Sequence, residues 1–516
     1  MQRLISRQRF LKLFTGTSLG LAASQLGRFW GNDRALAQIP KINRSPQGKQ
    51  RLSPIWLENQ YPGTIDWKIT QSAGDREIEG YASATSVNLG ETLQFFVSTT
   101  AANYQLEIFR LGWYGGRGAR SRTDVVQLPG KLQPMPMPQG DTGLIECQWQ
   151  RSYSLTVPAK TGTEKWTSGL YVAKLTAATG GQSYIPFIVR DDAKQAALLF
   201  QASVTTWQAY NNWGGKSLYA FNSTNQQEAF QVSFNRPYGG GGDGGASLTD
   251  PFQGWELNML RYLEREGFDV NYCTNLDTHK NIGNLMQRHR AFLSVGHDEY
   301  WSWEMRRNVE AGRDRGMNLA FFSANTCYWQ IRLESSMIDN APHRTITCYR
   351  YNYERDPVYS DPARQRLTTT TWRSAPVNRP ENALLGVMYD FYPVDSDIVI
   401  TQPDHWIFAK TGLRQGDKLI GLLGYEADRV FDNGQSPANL VTLAASPAGR
   451  EDGSTGLANM TYYVAPSGAQ VFAAGTIQLP WGLDNYYAGI THPNLVNPQV
   501  QRMVRNILYR FSRAAA

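Results

Sequence analysis

Three short segments of this chain gather side chains able to hold protons or ligate ions. GHDEYW (296–301) follows the apolar run 291–295, SANTCYW (323–329) follows 319–322, and GYEAD (424–428) follows 419–423. Imidazole, carboxylate and phenol groups are the usual carriers of acid–base chemistry and metal ligation. A fourth polar cluster, TTWQAYNNWGG (205–215), trails the apolar stretch ALLFQA (197–202) and is expected to border the same cleft. Each residue also has an ordinary reading. His297 can be a hydrogen-bonded structural histidine, and Tyr300 and Tyr328 can pack with satisfied hydroxyls. Glu426 can pair with Arg429 at the surface, and Asp298 and Glu299 can favour a helix start.

The elements around these segments give them a shared location. From residue 191 onward, buried-type strands alternate with amphipathic helices: strand 196–202, helix 254–266, strand 268–272, strand 290–295, a helix through Trp303, and strand 317–322. That order predicts a parallel sheet with right-handed crossovers, whose ligands bind outside the carboxyl ends of the strands. Mixed strands near 397–401, 418–423, 461–464 and 470–474 and a terminal helix over 497–511 follow. Residues 61–190 read instead as short alternating strands separated by turns, the pattern of a β-sandwich.

Composition narrows the function classes. Of the formal charge of +7 on 516 residues, residues 1–37 carry +5, through six cations and Asp33. The remainder is nearly neutral, which removes the basis for nucleic-acid binding. The same 37 residues read as an export leader, with Ala35-Leu36-Ala37 as a small-x-small cleavage signal. Ser6-Arg7-Gln8-Arg9-Phe10-Leu11-Lys12 is similar to a twin-arginine motif, with Gln8 in place of the second arginine. Cleavage after Ala37 places the mature chain in the periplasm or cell envelope, with no stable membrane insertion. Residues 38–60 read as a linker. The four cysteines lack a C-x-x-C pattern, so a zinc-thiolate site is not expected; Cys327 and Cys348 can pair or remain buried thiols. Gly16–Gly20 fits G-x-S-x-G only inside the leader, and Gly215-Lys216-Ser217 lacks the upstream glycine of a phosphate loop, Tyr210 standing there. The glycine run 239–245 reads as a surface loop.

Taken together, TWQAYNNWGGKSLY (206–219), GHDEYW, SANTCYWQIR (323–332), GYEADR (424–429) and VFAAGTIQLPWGL (471–483) resemble the large (β) subunit of N,N-dimethylformamidase over residues 198–483. The resemblance implies a class I glutamine amidotransferase-like (flavodoxin-like) α/β domain over 191–516. It implies hydrolysis of an amide-type C–N bond in a small substrate. It also implies a mononuclear iron, Fe(III), held by Tyr300, Tyr328 and Glu426, with His297 or Glu299 moving protons. Phenolate and carboxylate are hard oxygen donors suited to that ion. Gly424 stands where the family's enzyme carries a histidine two residues before its glutamate. A homo-oligomer is possible, and a small subunit is left open. Two other classes compete. One is a non-catalytic cell-envelope protein binding glycan or peptide through Trp207, Trp213 and Trp329. The other is a metal-free hydrolase built on His297 with Asp298 or Glu299.

Overall fold

The computed structural model describes residues 53–159, 165–239 and 255–513. The expected leader, most of the linker and the glycine run beyond Gly239 lie outside them. Of the expected linker, residues 54–58 form a helix capped by Ser53, whose side chain accepts from the Trp56 N–H. Ile55 and Glu58 of that helix are buried.

Nine strands follow: β1 (Ile78–Ala82), β2 (Ser86–Asn88), β3 (Thr92–Thr99), β4 (Asn103–Leu111), β5 (Ala119–Ser121), β6 (Val126–Pro129), β7 (Tyr153–Thr156), β8 (Gly169–Ala177) and β9 (Gln182–Arg190). They form a three-stranded sheet, β1-β3-β7, and a six-stranded sheet along β2-β9-β8-β4-β5, with β6 also on β4. Period-two alternation sends Leu93, Phe95 and Val97 of β3 to one face. That face shares a buried cluster with Leu106 and Ile108 of β4 and Ile185, Phe187 and Val189 of β9. Each such side chain stabilises the unit by about 1.5–3 kcal/mol.

The rest of the chain is mixed α/β. Its strands are β10 (Leu198–Ala202), β11 (Gln231–Ser233), β12 (Val270–Thr274), β13 (Ala291–His297), β14 (Tyr300–Ser302), β15 (Asn318–Ala324), β16 (Trp329–Glu334), β17 (Thr345–Thr347), β18 (Met388–Val399), β19 (Lys418–Arg429), β20 (Val441–Gly449), β21 (Thr455–Val464) and β22 (Gln470–Ala473). A seven-stranded sheet runs β12-β10-β13-β15-β22-β21-β20. The first five strands are mutually parallel and the last two pairings antiparallel. Every residue of β10, β13 and β15 is buried, as continuous apolar runs require when both sheet faces are covered. In register, His297 pairs with Ala324, so these strands deliver their carboxyl ends to one edge.

Two placements differ from the sequence reading. GYEADR is not a strand end: β19 continues through it, because β18 runs alongside and supplies antiparallel partners. Glu426 falls at a register shift between the pairs Phe391–Ala427 and Val394–Tyr425, an irregularity that re-aims a side chain. Tyr300 opens the short strand β14, which belongs to a separate sheet, β11-β17-β16-β14. That sheet was not expected, since its strands are too short for periodicity to register.

A buried ion pair joins the two halves. Arg110 of β4 meets Glu264 of helix Glu256–Arg265 at 2.7 and 2.8 Å, both side chains fully buried. Tyr272 and Asn59 also donate to the Glu264 carboxylate. Glu264→Leu therefore strands Arg110 in the interior. A stability loss of about 3–5 kcal/mol is expected, read as a lowered midpoint in urea unfolding.

Candidate active site

Asp298 fixes the loop between β13 and β14. Its carboxylate accepts hydrogen bonds from Gln201 Nε2 (2.7 Å), Asn275 Nδ2 (2.9 Å) and Ser294 Oγ (2.9 Å). Burial raises its pKa against these three donors. Asp298 is thus engaged away from His297 and serves the loop. Gly296 has φ +69°, and a Cβ there would lie 2.8 Å from Trp255 Cβ, so only glycine lets the chain turn beside that ring. Helix Val204–Tyr210 holds the same loop from the other side. Thr206 Oγ1 accepts from the Glu299 N–H at 2.9 Å, and the Thr205 hydroxyl donates to the Tyr300 carbonyl at 2.8 Å.

These anchors bring an imidazole between two carboxylates. His297 Nε2 lies 3.2 Å from Glu299 Oε2 and 3.1 Å from Glu426 Oε2. Burial works against the imidazolium, but the Glu426 and Glu299 carboxylates outweigh it and push the His297 pKa up to about 10. Tyr425 Oη stands 3.4 Å from His297 Nδ1. Asn325 Nδ2 donates to Glu426 Oε2 at 2.8 Å, while its backbone N–H donates to Asp428 at 2.8 Å. Burial pushes the Asp428 pKa up to about 7, against the Asn325 N–H and Arg373, with Glu381 and Glu426 adding to the rise.

Three phenols continue the cluster. Tyr300 donates to Tyr219 Oη at 2.6 Å, Tyr219 to Tyr210 Oη at 2.7 Å, and Tyr210 to Glu299 Oε2 at 2.8 Å. Trp329 Nε1 donates to Glu299 Oε1 at 2.9 Å. The guanidinium of Arg350 lies 4.0 Å from the Tyr219 ring centroid. Burial first, then Glu299 and Tyr219, raise the Tyr300 pKa, opposed by Arg350.

Of the five residues singled out by sequence, the structure brings His297, Glu299 and Glu426 into direct contact and links Tyr300 to them through Tyr219 and Tyr210. Tyr328 stands one ring away, edge-on to Trp329 at 4.8 Å and to Tyr389 at 5.3 Å. Its N–H and that of Trp329 donate to the Glu299 carbonyl, and its phenol meets Tyr351. Tyr219 and Asn325 were not anticipated as site residues. Both lie inside segments already notable for polar and aromatic content, but nothing in their spacing selects them. A Cβ built on Gly424 would lie 2.2 Å from the Val394 carbonyl oxygen. A side chain is excluded there, and the imidazole comes from β13.

The donor atoms are mostly oxygen. Asn325 Oδ1 is buried without a hydrogen-bond partner. Among the described residues, no group of three or more His, Cys, Asp and Glu side chains is arranged to hold a metal. All four cysteines are free and buried. Trp207, Trp213 and Trp329, whose expected exposure supported a glycan-binding reading, are 8, 7 and 2 % exposed. Trp207 and Trp329 are committed to Glu256 and Glu299, and Trp213 to Glu79 at 2.7 Å.

With this geometry in hand, the comparisons with known proteins place the chain. Residues 105–492 match the family N,N-dimethylformamidase beta subunit-like, C-terminal, and the chain belongs to that family. The match begins within β4, well before the 198–483 span that carried the sequence resemblance. The N,N-dimethylformamidase beta subunit of Paracoccus aminophilus is 23% identical over 449 residues, covering 71% of this chain and 55% of that protein. The subunit of the same name from Alcaligenes sp. is 26% identical over 231 residues, covering 37% and 29%. The chain thus spans about half the length of the first relative.

Two outcomes follow from the site and its flank. Replacing His297 by Leu leaves Glu299 and Glu426 buried without their shared cation. The metal-free protein is expected to lose about 3–5 kcal/mol, measured by chemical denaturation. Beside β14, the Ser302 hydroxyl accepts from the Met305 N–H and shares a hydrogen bond of 2.7 Å with His279 Nδ1. Burial, His343, Lys280 and Arg307 push the His279 pKa down to about 4 from 6.5; Glu304 faces it at 3.6 Å. Between these values the unfolded chain binds the extra proton. His279's contribution to stability is therefore complete above pH 6.5 and declines as pH falls toward 4. His279→Asn should flatten that segment of the pH–stability curve.

Proposed function

We propose that this chain is a hydrolase of an amide-type C–N bond in a small substrate. The observation that carries the reading is the buried His297 imidazole held between Glu299 and Glu426 at one end of the parallel sheet. Family membership supports the same class of reaction, as do the names of the two relatives. The finer architecture belongs to the proposal: a β-sandwich followed by a glutamine amidotransferase-like domain. So do export to the periplasm or cell envelope and assembly, with a small subunit in view of the relatives' name. No helix among the described residues is long and apolar enough to cross a membrane.

The oxygen-rich donor set and the unpartnered Asn325 Oδ1 fit a hard cation. The residues that would hold a mononuclear iron are those the family resemblance implies, Tyr300, Tyr328 and Glu426. Bound there, an iron ion supplies Lewis acidity toward a carbonyl and toward water. The chain's own groups do the remaining work. His297 Nε2–H lies where it can protonate a departing nitrogen. Glu299 can receive a proton from attacking water and is held in orientation by Trp329 and Tyr210. The Tyr300–Tyr219–Tyr210 series gives the Tyr300 proton a hydrogen-bonded route to Glu299. Removing one such proton-transfer group typically costs 10²–10⁴-fold in rate.

The test is amine release from N,N-dialkyl formamides by the iron-supplied full chain. Glu299→Gln should lower kcat at least about 100-fold while the Tm stays close to that of the parent. An unchanged kcat in Glu299→Gln would remove its assigned role. Absence of amine release from a panel of small amides by the iron-loaded parent would sink the hydrolase reading.

A further inference from the structure

At the opposite edge of the central sheet, a groove of about 590 Å³ opens among the amino ends of β13, β15 and β22. Four arginines line it: Arg290, Arg315, Arg510 and Arg513. β15 alone spans seven residues, so the groove lies on the order of 20 Å from the His297 cluster, at about 3.3 Å per residue. It is a separate site.

Among the described residues, none of the four has a carboxylate partner at ion-pair distance. Arg290 donates to the Ser512 carbonyl at 3.0 Å, Arg510 lies 4.4 Å from the Trp406 ring centroid, and Arg315 meets the Gln287 side-chain oxygen at 3.0 Å. None of these partners is anionic. Of the acids near the groove, Asp314 is paired with Arg313, and Asp269, which faces the lining residue His289, is paired with Lys194. Arg510 and Arg513 are three residues apart around the end of the last helix, a spacing at which like charges repel.

One ordinary explanation is that these arginines neutralise helix ends. Helices Trp303–Arg313 and Pro498–Phe511 both finish near the groove. Each end carries roughly half a negative charge. Together they offset about one of four cations, leaving about three unanswered. Guanidinium groups are forked donors suited to tetrahedral oxyanions.

We infer that this groove binds a phosphate-bearing anion of at least two negative charges, either a free phosphoanion or a lipid headgroup. Calorimetric titration of the full chain with inorganic pyrophosphate tests it, beside flotation with vesicles of phosphatidylglycerol and phosphatidylcholine. Arg315→Gln/Arg513→Gln alters two exposed side chains, so its Tm should match the parent's. Pyrophosphate should bind one per chain, weaken with added salt, and lose at least about tenfold in affinity in the double variant, as the removal of charge-assisted hydrogen bonds implies. Binding to anionic vesicles alone, lost in the same variant, assigns the phosphate to a lipid headgroup. Arg502→Gln, on the same helix outside the groove, should keep full affinity. Equal binding by parent and double variant, an equal loss in Arg502→Gln, or binding of neither probe overturns the inference.

Discussion

An imidazole buried between two carboxyl groups sets the terms for everything around it. His297 Nε2 stands 3.2 Å from Glu299 and 3.1 Å from Glu426. Such a group survives in the interior only if the remaining lone pairs are met by donors. The surrounding residues do that work: Tyr210 and Trp329 donate to Glu299, and Asn325 donates to Glu426. The cluster is rich in oxygen donors, and the proposed metal would have to overcome the burial that favours the neutral form of Tyr300. A free phenol ionises near pH 10, so only a metal would hold it as phenolate at neutrality.

Positioning comes from three separate sheets and one helix. β13 carries His297, β14 carries Tyr300 and β19 carries Glu426, and these strands do not pair with one another. What holds them together is side-chain chemistry. Asp298 ties the β13–β14 loop to β10 and to the helix after β12, and the Asn325 backbone ties the end of β15 to β19 through Asp428. The carboxyl groups at 298 and 428 therefore hold in place the segments that carry Glu299 and Glu426.

The parallel sheet was legible because its strands are long apolar runs separated by helical periodicity, and its boundaries shifted by only a few residues. GHDEYW stood out as a candidate because an apolar strand ends abruptly in five polar or aromatic groups. The place of Glu426 was less so. Acidic residues inside GYEADR read as the end of a strand, whereas β18 extends pairing through them and a register shift turns Glu426 inward. Tyr219 was hidden for a different reason. It reaches the site by tertiary packing from an irregular segment after helix Val204–Tyr210, where no periodicity exists to reveal a facing direction. The tryptophans misled in the opposite sense: flanked by Asn and Gln they look like surface binders, yet their indole N–H groups are used to satisfy buried carboxylates.

The account stands on Tyr300 and Glu426 belonging to one metal-binding, proton-handling centre. Stoichiometric addition of iron to the metal-free full chain, followed by visible absorption, addresses this most directly. A tyrosinate-to-iron charge-transfer band that saturates at one iron per chain and disappears in Tyr300→Phe is the result the account predicts. A colourless protein that takes up no iron, or a band unchanged in Tyr300→Phe, would contradict it.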